Sequence, residues 1–492
     1  MEESKKKEKL LRVAVYMIFA GFYFWLAAQI PYTHDDWDWG LDIGMEQWLN
    51  ATVNSRYVGN FFEVIMTRSE LVKTLIMGAG FFLLPFLLST ITYFGKENRT
   101  GKNKVLGFII CNVLILSMHR TTWQQTYGWV AGYANYGISA IFLTVILRQL
   151  LKVFESDAAQ TDKISWRTAL LFLISLGGQL FLENVALYLF LASALVNVIC
   201  GCREKRFSWN YFAIFFASII GLIIMFSSNI YSVLWSTGEA VGGARHMLFY
   251  AGADIKSVLL SCLYQLSELP FSLYAKNISI CIMIMILMTV LVLQKKSLVL
   301  WKKIIGSVAN ATMGLGLVLT AVLGEGGFIV SVAFFAVVSM ELIVLFNSRK
   351  EQLWKLMFVW ISPVFIILPL IFTSELGARL FFTTSVVLIF FLMMLMYYAV
   401  VPLKNKSLFW AVSCILAGAL LIQYGIVYHA IGTCKRHRDA IVEDAVAAGV
   451  ETIFIPGYPY SEYIWLPDPE VREGFFKDFY GIPRDVSVEF SP

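Results

Sequence analysis

The chain is expected to fold as an all-α polytopic membrane protein, and three observations lead there. Hydrophobic residues make up 58% of the 492 and charged residues only 15%, with a mean hydropathy of +0.69, far too apolar for a soluble domain. Apolar runs of spanning length recur from one end of the chain to the other. Most basic residues sit in the short stretches between those runs, which is the pattern of membrane topology. No basic face is left for a polynucleotide, so nucleic acid is excluded as a partner.

The first run, residues 12–30, follows a lysine-rich N-terminus. It is long enough to span and lacks a small-residue cleavage site, so it reads as an uncleaved first helix rather than a signal peptide. Further runs lie at 71–94, 105–118, 133–150, 167–182, 184–200, 210–226, 277–293, 304–322, 328–346, 356–372, 381–401 and 408–428, about thirteen helices in all. The 31 residues from Ala169 to Ile199 would overshoot a core of about 30 Å as one helix. Glu183-Asn184 sits at their middle and both flanks are basic, so a hairpin is expected. Residues 304–346 repeat this pattern, with Gly324-Glu325-Gly326-Gly327 at the tip.

With that assignment, one set of loops carries 25 Lys and Arg and the opposite set 8. The first side, with the N-terminus, is therefore expected to be cytoplasmic, and the C-terminus extracytoplasmic. The chain divides into a membrane domain, 1–428, with long outer loops at 31–70 and 227–276, and a tail, 429–492. Leu41 to Leu49 and Ile255 to Leu266 are amphipathic stretches suited to the bilayer surface. The tail shows a helix pattern from Arg438 ended by Gly449, then a strand pattern from Glu451 to Pro456. So small an α/β unit is marginal alone and is expected to lean on the outer loops. Of seven cysteines only Cys434 lies in the tail, and no spacing suggests a disulfide framework or a zinc cage.

The most informative local feature is Thr33-His34-Asp35-Asp36-Trp37-Asp38-Trp39, at the exit of the first run. A carboxylate costs roughly 2.5–3.5 kcal/mol at a bilayer centre, so the cluster marks a water-facing boundary. The same side holds Glu183, Glu325 and Glu375, the cations Arg56, Arg120, Arg245 and Arg379, and aromatics including Trp129 and Tyr136. A partly desolvated carboxylate can act as a general base, Arg forks suit a departing phosphate, and aromatic rings offer platforms for sugar faces. These are the parts needed to move a sugar from a membrane-tethered phosphate carrier to a hydroxyl. Each has a plain alternative: rings at span ends anchor helices, a lone Arg meets lipid headgroups, and Asp35-Asp36 could cap a helix.

The order Asp35-Asp36-Trp37, then Asn54-Ser55-Arg56-Tyr57-Val58-Gly59-Asn60, resembles a family of bacterial multispan proteins related to GT-C glycosyltransferases. Tyr127 to Tyr136 is similar to that family's aromatic-Gly-x-x-Asn-Tyr segment, Glu183-Asn184 to its acid in a membrane hairpin, and Gly377-Ala378-Arg379 and the Gly449 to Tyr460 stretch are also similar. The resemblance implies a GT-C-like bundle in the bacterial plasma membrane and an inverting transfer from a polyprenyl-phosphate-linked sugar to an envelope glycan or teichoic-acid-type acceptor. Asp35 or Asp36 would be the catalytic base. Asp38, Arg56, Asn60, Arg120, Trp129, Asn135, Tyr136, Glu183, Arg245, His246 and Arg379 would form the substrate-binding set. No cofactor is required. Mg²⁺ or Mn²⁺ on Asp36 and Asp38 is an option, although two carboxylates are few for a dedicated site. Competing readings are a transporter or flippase of a lipid-linked saccharide, which should carry mid-depth ionisable residues and internal repeats, and a noncatalytic subunit of a wall-polymer assembly complex.

Overall fold

The computed structural model describes every residue except 1, 92–100, 156–162, 206, 240–246, 324–326, 374–375, 404, 467–471 and 491–492. The first apolar run is the helix α1 (Glu2–Gln29), and three short helices follow it, α2 (Asp35–Gly40), α3 (Asp42–Asn50) and α4 (Tyr57–Thr67). Next come α5 (Glu70–Ile91) and α6 (Gly101–Leu116), both packed on α1. Gly78 lets α1 and α5 approach closely, since a Cβ there would sit 2.9 Å from the Cα of Phe24. Tyr23 Oη donates to Asn112 Oδ1 at 2.6 Å and pins α1 to α6 within an otherwise apolar interface.

The segment after α6 is broken into α7 (Arg120–Gln124), α8 (Val130–Gly132), a π-helical turn (Tyr133–Gly137) and α9 (Ile138–Leu151). The long apolar stretch that follows is indeed two helices, α10 (Trp166–Gln179) and α11 (Glu183–Glu204), turning through Leu180, Phe181 and Leu182. Then come α12 (Trp209–Phe226), α13 (Asn229–Thr237), α14 (Ile255–Ala275) and α15 (Ile278–Gln294), the last two meeting at 72°. The bundle continues with α16 (Leu300–Leu323), α17 (Gly327–Phe346), α18 (Lys350–Ile367) and α19 (Phe382–Ala399). Almost every residue of α19 is buried, so it forms the bundle's axis.

Ten helical segments among the described residues are long and apolar enough to cross a membrane, or eleven if α14 and α15 count as one bent span. Of the thirteen expected, α6, α10 and α15 are helices but fall short by themselves. A 14-residue helix such as α10 rises only about 21 Å. A Ser165–Thr168 capping box starts it late and the turn at Leu180 stops it early.

The final helix differs more clearly from expectation. Instead of a span ending near residue 428 and a separate tail helix, α20 (Ser407–Ala448) runs unbroken for 42 residues, so the boundary drawn at 428 falls inside it. No glycine in a left-handed conformation, and no proline, interrupts it before Gly449, whose φ of +64° ends it. Beyond lie β1 (Thr452–Ile455), α21 (Glu473–Tyr480) and β2 (Ser487–Phe490), with β1 and β2 paired in parallel from Thr452–Ser487 to Ile455–Phe490. Two parallel strands are marginal alone, and the tail is fastened elsewhere. Trp123 Nε1 donates to Tyr428 Oη at 2.8 Å, Tyr428 Oη to the Tyr463 carbonyl at 3.0 Å, and Gln124 Nε2 to the Ile464 carbonyl at 3.0 Å. On the opposite flank Glu70 accepts from both the buried Lys73 (2.7 Å) and Lys435 (2.6 Å), joining α5 to α20.

Candidate functional site

The chain leaves α1 at Gln29, passes through residues 30–33 without regular secondary structure, turns at His34 and starts α2 at Asp35. His34 has φ +52°, an uncommon conformation for a side-chain-bearing residue, and it sets the first two aspartates in different surroundings. Asp36 is wholly buried. Its Oδ2 accepts from the Thr33 backbone N–H at 2.9 Å and its Oδ1 from that of Ala131 at 2.8 Å, which places the carboxylate at the start of the helix opened by Val130. Burial pushes this carboxyl well up, against the two N–H groups that favour its charge.

Asp35 retains 29% of its side-chain exposure and lies 2.5 Å from His34 Nδ1 and 3.0 Å from a guanidinium nitrogen of Arg472. Burial would raise it, but His34, Arg472 and Arg379 together hold it below the usual carboxylate value. Arg472 also reaches Asp38 Oδ2 at 3.3 Å. Asp38 is nearly buried, and burial together with the charge on Asp35 lifts its carboxyl to about 6. Behind these three lies Glu63 of α4, buried, accepting from Asn135 Nδ2 at 3.1 Å. Burial first, and then the three aspartates, push it well above the usual range. The π turn brings Asn135 here, and Gly59 leaves room for its amide oxygen.

The arginines are committed differently. Arg56 Nη2 pairs with Glu183 Oε2 at 3.1 Å, Tyr231 Oη donates to Glu183 Oε1 at 3.1 Å, and the Arg56 guanidinium stands 5.7 Å from the Tyr136 ring centre. Asn60 donates to Asn54 Oδ1 at 2.9 Å, and Asn54 Oδ1 also accepts from the Arg56 backbone N–H. Arg120 pairs with Glu462 at 3.5 Å and lies over Tyr463, so it contacts the tail and not the acids. Arg379 stands 5.5 Å from the Trp129 ring and 6.0 Å from that of Trp465, its backbone N–H donating to Gln125. Among the described residues no carboxylate lies within ion-pairing distance of Arg379. Trp129 is buried beneath that guanidinium rather than open as a platform. Trp129 Nε1 and the amide oxygens of Asn60 and Asn135 are buried without a partner among the described residues. Arg245, His246, Glu325 and Glu375 lie outside the described residues.

Three contributors went unforeseen. Glu63 has a readable signal, an acid inside an otherwise apolar helical stretch, Tyr57–Thr67. Trp465 and Arg472 have none, because they reach the site only through the docking of the tail. A divalent cation on Asp36 and Asp38 would have to compete with contacts already made there, although Asp38 Oδ1 is buried without a partner among the described residues. Both oxygens of Asp36 accept backbone N–H groups and Asp38 Oδ2 accepts from Arg472. No group of three metal-ligating side chains occurs among the described residues. One cleft is lined by Asn103, Met396, Tyr397 and Lys406, at the helix ends opposite to those that carry the acids.

No family model, no curated protein and no solved structure matches the chain.

Proposed function

We propose that the chain is an inverting membrane glycosyltransferase that moves a sugar from a polyprenyl-phosphate donor to an envelope glycan or teichoic-acid-type acceptor at the outer face of a bacterial plasma membrane. Counting α6, α10 and α15 as crossings gives thirteen, an odd number that separates the N-terminus from the tail, and the distribution of Lys and Arg supports a cytoplasmic N-terminus with the acids and the tail outside. The observation that carries the reading is a partly exposed Asp35, held ionised by His34 and Arg472 and more weakly by Arg379, whose guanidinium lies over Trp129 and Trp465 with no carboxylate within ion-pairing distance among the described residues. Asp35 takes the proton of the acceptor hydroxyl as the oxygen attacks the anomeric carbon. The bond from that carbon to the donor phosphate breaks, and the lipid phosphate leaves with the bonding electrons onto Arg379. A carboxyl held low stays ionised at neutral pH but is a weak base, so proton transfer comes late, once the attacking oxygen has become acidic.

The test compares cell-envelope glycan composition in cells with the protein, without it, and with Asp35→Asn. Loss of one sugar substituent in both altered strains, with Asp35→Asn present at normal levels in the membrane, is the expected result. An unchanged glycan in the Asp35→Asn strain alone would favour a scaffold role and end the enzymatic reading.

A further inference from the structure

The tail sends two side chains into the site, Trp465 beside Arg379 and Arg472 onto the acids of α2. The two terminal nitrogens of Arg472 go to different carboxylates, Nη2 to Asp35 at 3.0 Å and Nη1 to Asp38 at 3.3 Å, across one turn of the helix. A planar fork that bridges two acceptors fixes both in direction, which a point charge such as Lys cannot do. The fork is itself held in place. It stands 5.5 Å from the Phe475 ring centre, and the helix it introduces, α21, wedges Phe476 against Trp37 at 5.1 Å and Phe479 against Tyr32 at 5.5 Å. Gly40, at the end of α2, leaves the space that the Phe479 ring fills, because a Cβ there would collide with it. The helix bearing the acids and the helix following Arg472 thus pack as one unit through aromatic contacts that do not depend on charge.

We propose that Arg472 is a positioning residue for Asp35, so that the tail forms a wall of the site rather than an appendage to it. Its part in sugar transfer rests on the reading given above, whereas its hold on Asp35 rests on geometry alone.

The experiment uses the full-length protein in nanodiscs as wild type, Arg472→Gln, Arg472→Lys and Asp35→Asn. Two quantities are read against pH: labelling of Asp35 by a water-soluble carbodiimide, followed by mass spectrometry, and the rate of sugar transfer. Arg472→Gln is expected to move the labelling midpoint of Asp35 up by about one pH unit or more. The acid limb of kcat should move with it, and kcat should fall by about tenfold or more with KM little changed. Arg472→Lys should lie between Arg472→Gln and wild type in both measurements. If Arg472→Gln fails to fold, Arg472→Lys decides by the same two readings. An unmoved labelling midpoint overturns the proposal whether or not the wild type transfers sugar. An absence of transfer in wild type with a moved midpoint instead leaves the contact standing and removes the glycosyltransferase reading.

Discussion

Asp36 and Ala131, 95 residues apart, are joined by a hydrogen bond of 2.8 Å from the Ala131 backbone N–H to a carboxylate that is otherwise sealed from solvent. Asp36 therefore acts as a remote cap for the helix beginning at Val130, and its neighbour Asp35 is the acid left accessible. The two should respond to different degrees to the same substitution. In Asp36→Asn an amide NH₂ must face a backbone N–H, and in Asp36→Ala two buried N–H groups lose their acceptor, each worth about 1–3 kcal/mol. Both variants should show a lower apparent melting temperature and a lower folded yield in detergent, while Asp35→Asn, which removes a partly exposed ion pair and leaves no buried donor without an acceptor, should lose less. A wild-type melting temperature for Asp36→Ala would refute the capping role.

Asp38 makes a prediction about pH. Its carboxyl sits at about 6 in the folded chain against an ordinary value of 3.8, raised by burial and by Asp35. Between those values the folded state holds the proton more tightly than the unfolded state does. The stabilising contribution is therefore complete below about pH 4 and is lost as the pH rises through 6, a change of up to about 3 kcal/mol. Asp38→Asn never ionises. Its melting temperature relative to wild type should climb between pH 4 and pH 8, and a difference that stays flat over that interval would show that Asp38 is not held up.

Arg56 and Glu183 form a pair whose side chains are 16% and 21% exposed. Removing one partner leaves a poorly solvated charge, so Arg56→Met and Glu183→Gln should each destabilise by about 3 kcal/mol or more, while the double variant recovers much of the loss. A double-mutant cycle on thermal unfolding reads this directly, and simple additivity would count against the pair. Loss of activity in Arg56→Met alone should accordingly be read as loss of structure until the double variant has been assayed.

Two native cysteines report on sidedness. Cys434 lies in the distal part of α20, half-buried, and Cys202 lies exposed near the end of α11. An impermeant maleimide applied to intact cells should label Cys434, and should reach Cys202 only after permeabilisation, each site being read by mass spectrometry. The reverse pattern would invert the membrane orientation.

Much of the helical frame is legible in the sequence because a bilayer imposes length: an apolar run of about 20 residues must be a helix. The hairpin at Glu183 is readable for the same reason, as 31 apolar residues cannot sit in one crossing. Clustering of the acids at the exit of α1 is readable because charge avoids lipid. Partner choice is not readable. Arg56, Arg120 and Arg379 look alike in sequence, yet one meets Glu183, one Glu462 and one a pair of indoles, according to which helix ends converge. The contact between Asp35 and Arg472 spans 437 positions and depends on aromatic packing between α2 and α21, for which no local pattern exists. The continuity of α20 is not legible either, because polarity changes along it while helical geometry does not.

That last helix has a mechanical consequence. At about 1.5 Å per residue its 42 residues make a rod of roughly 63 Å, twice the thickness of a bilayer core of about 30 Å. The rod acts as a mast whose upper half carries β1, β2 and α21, so their height and heading depend on it as well as on their contacts with α2 and α7. One residue inserted low in the mast would lift the rigging by about 1.5 Å and swing it through about 100°, enough to carry Arg472 off its moorings without altering any residue near Asp35.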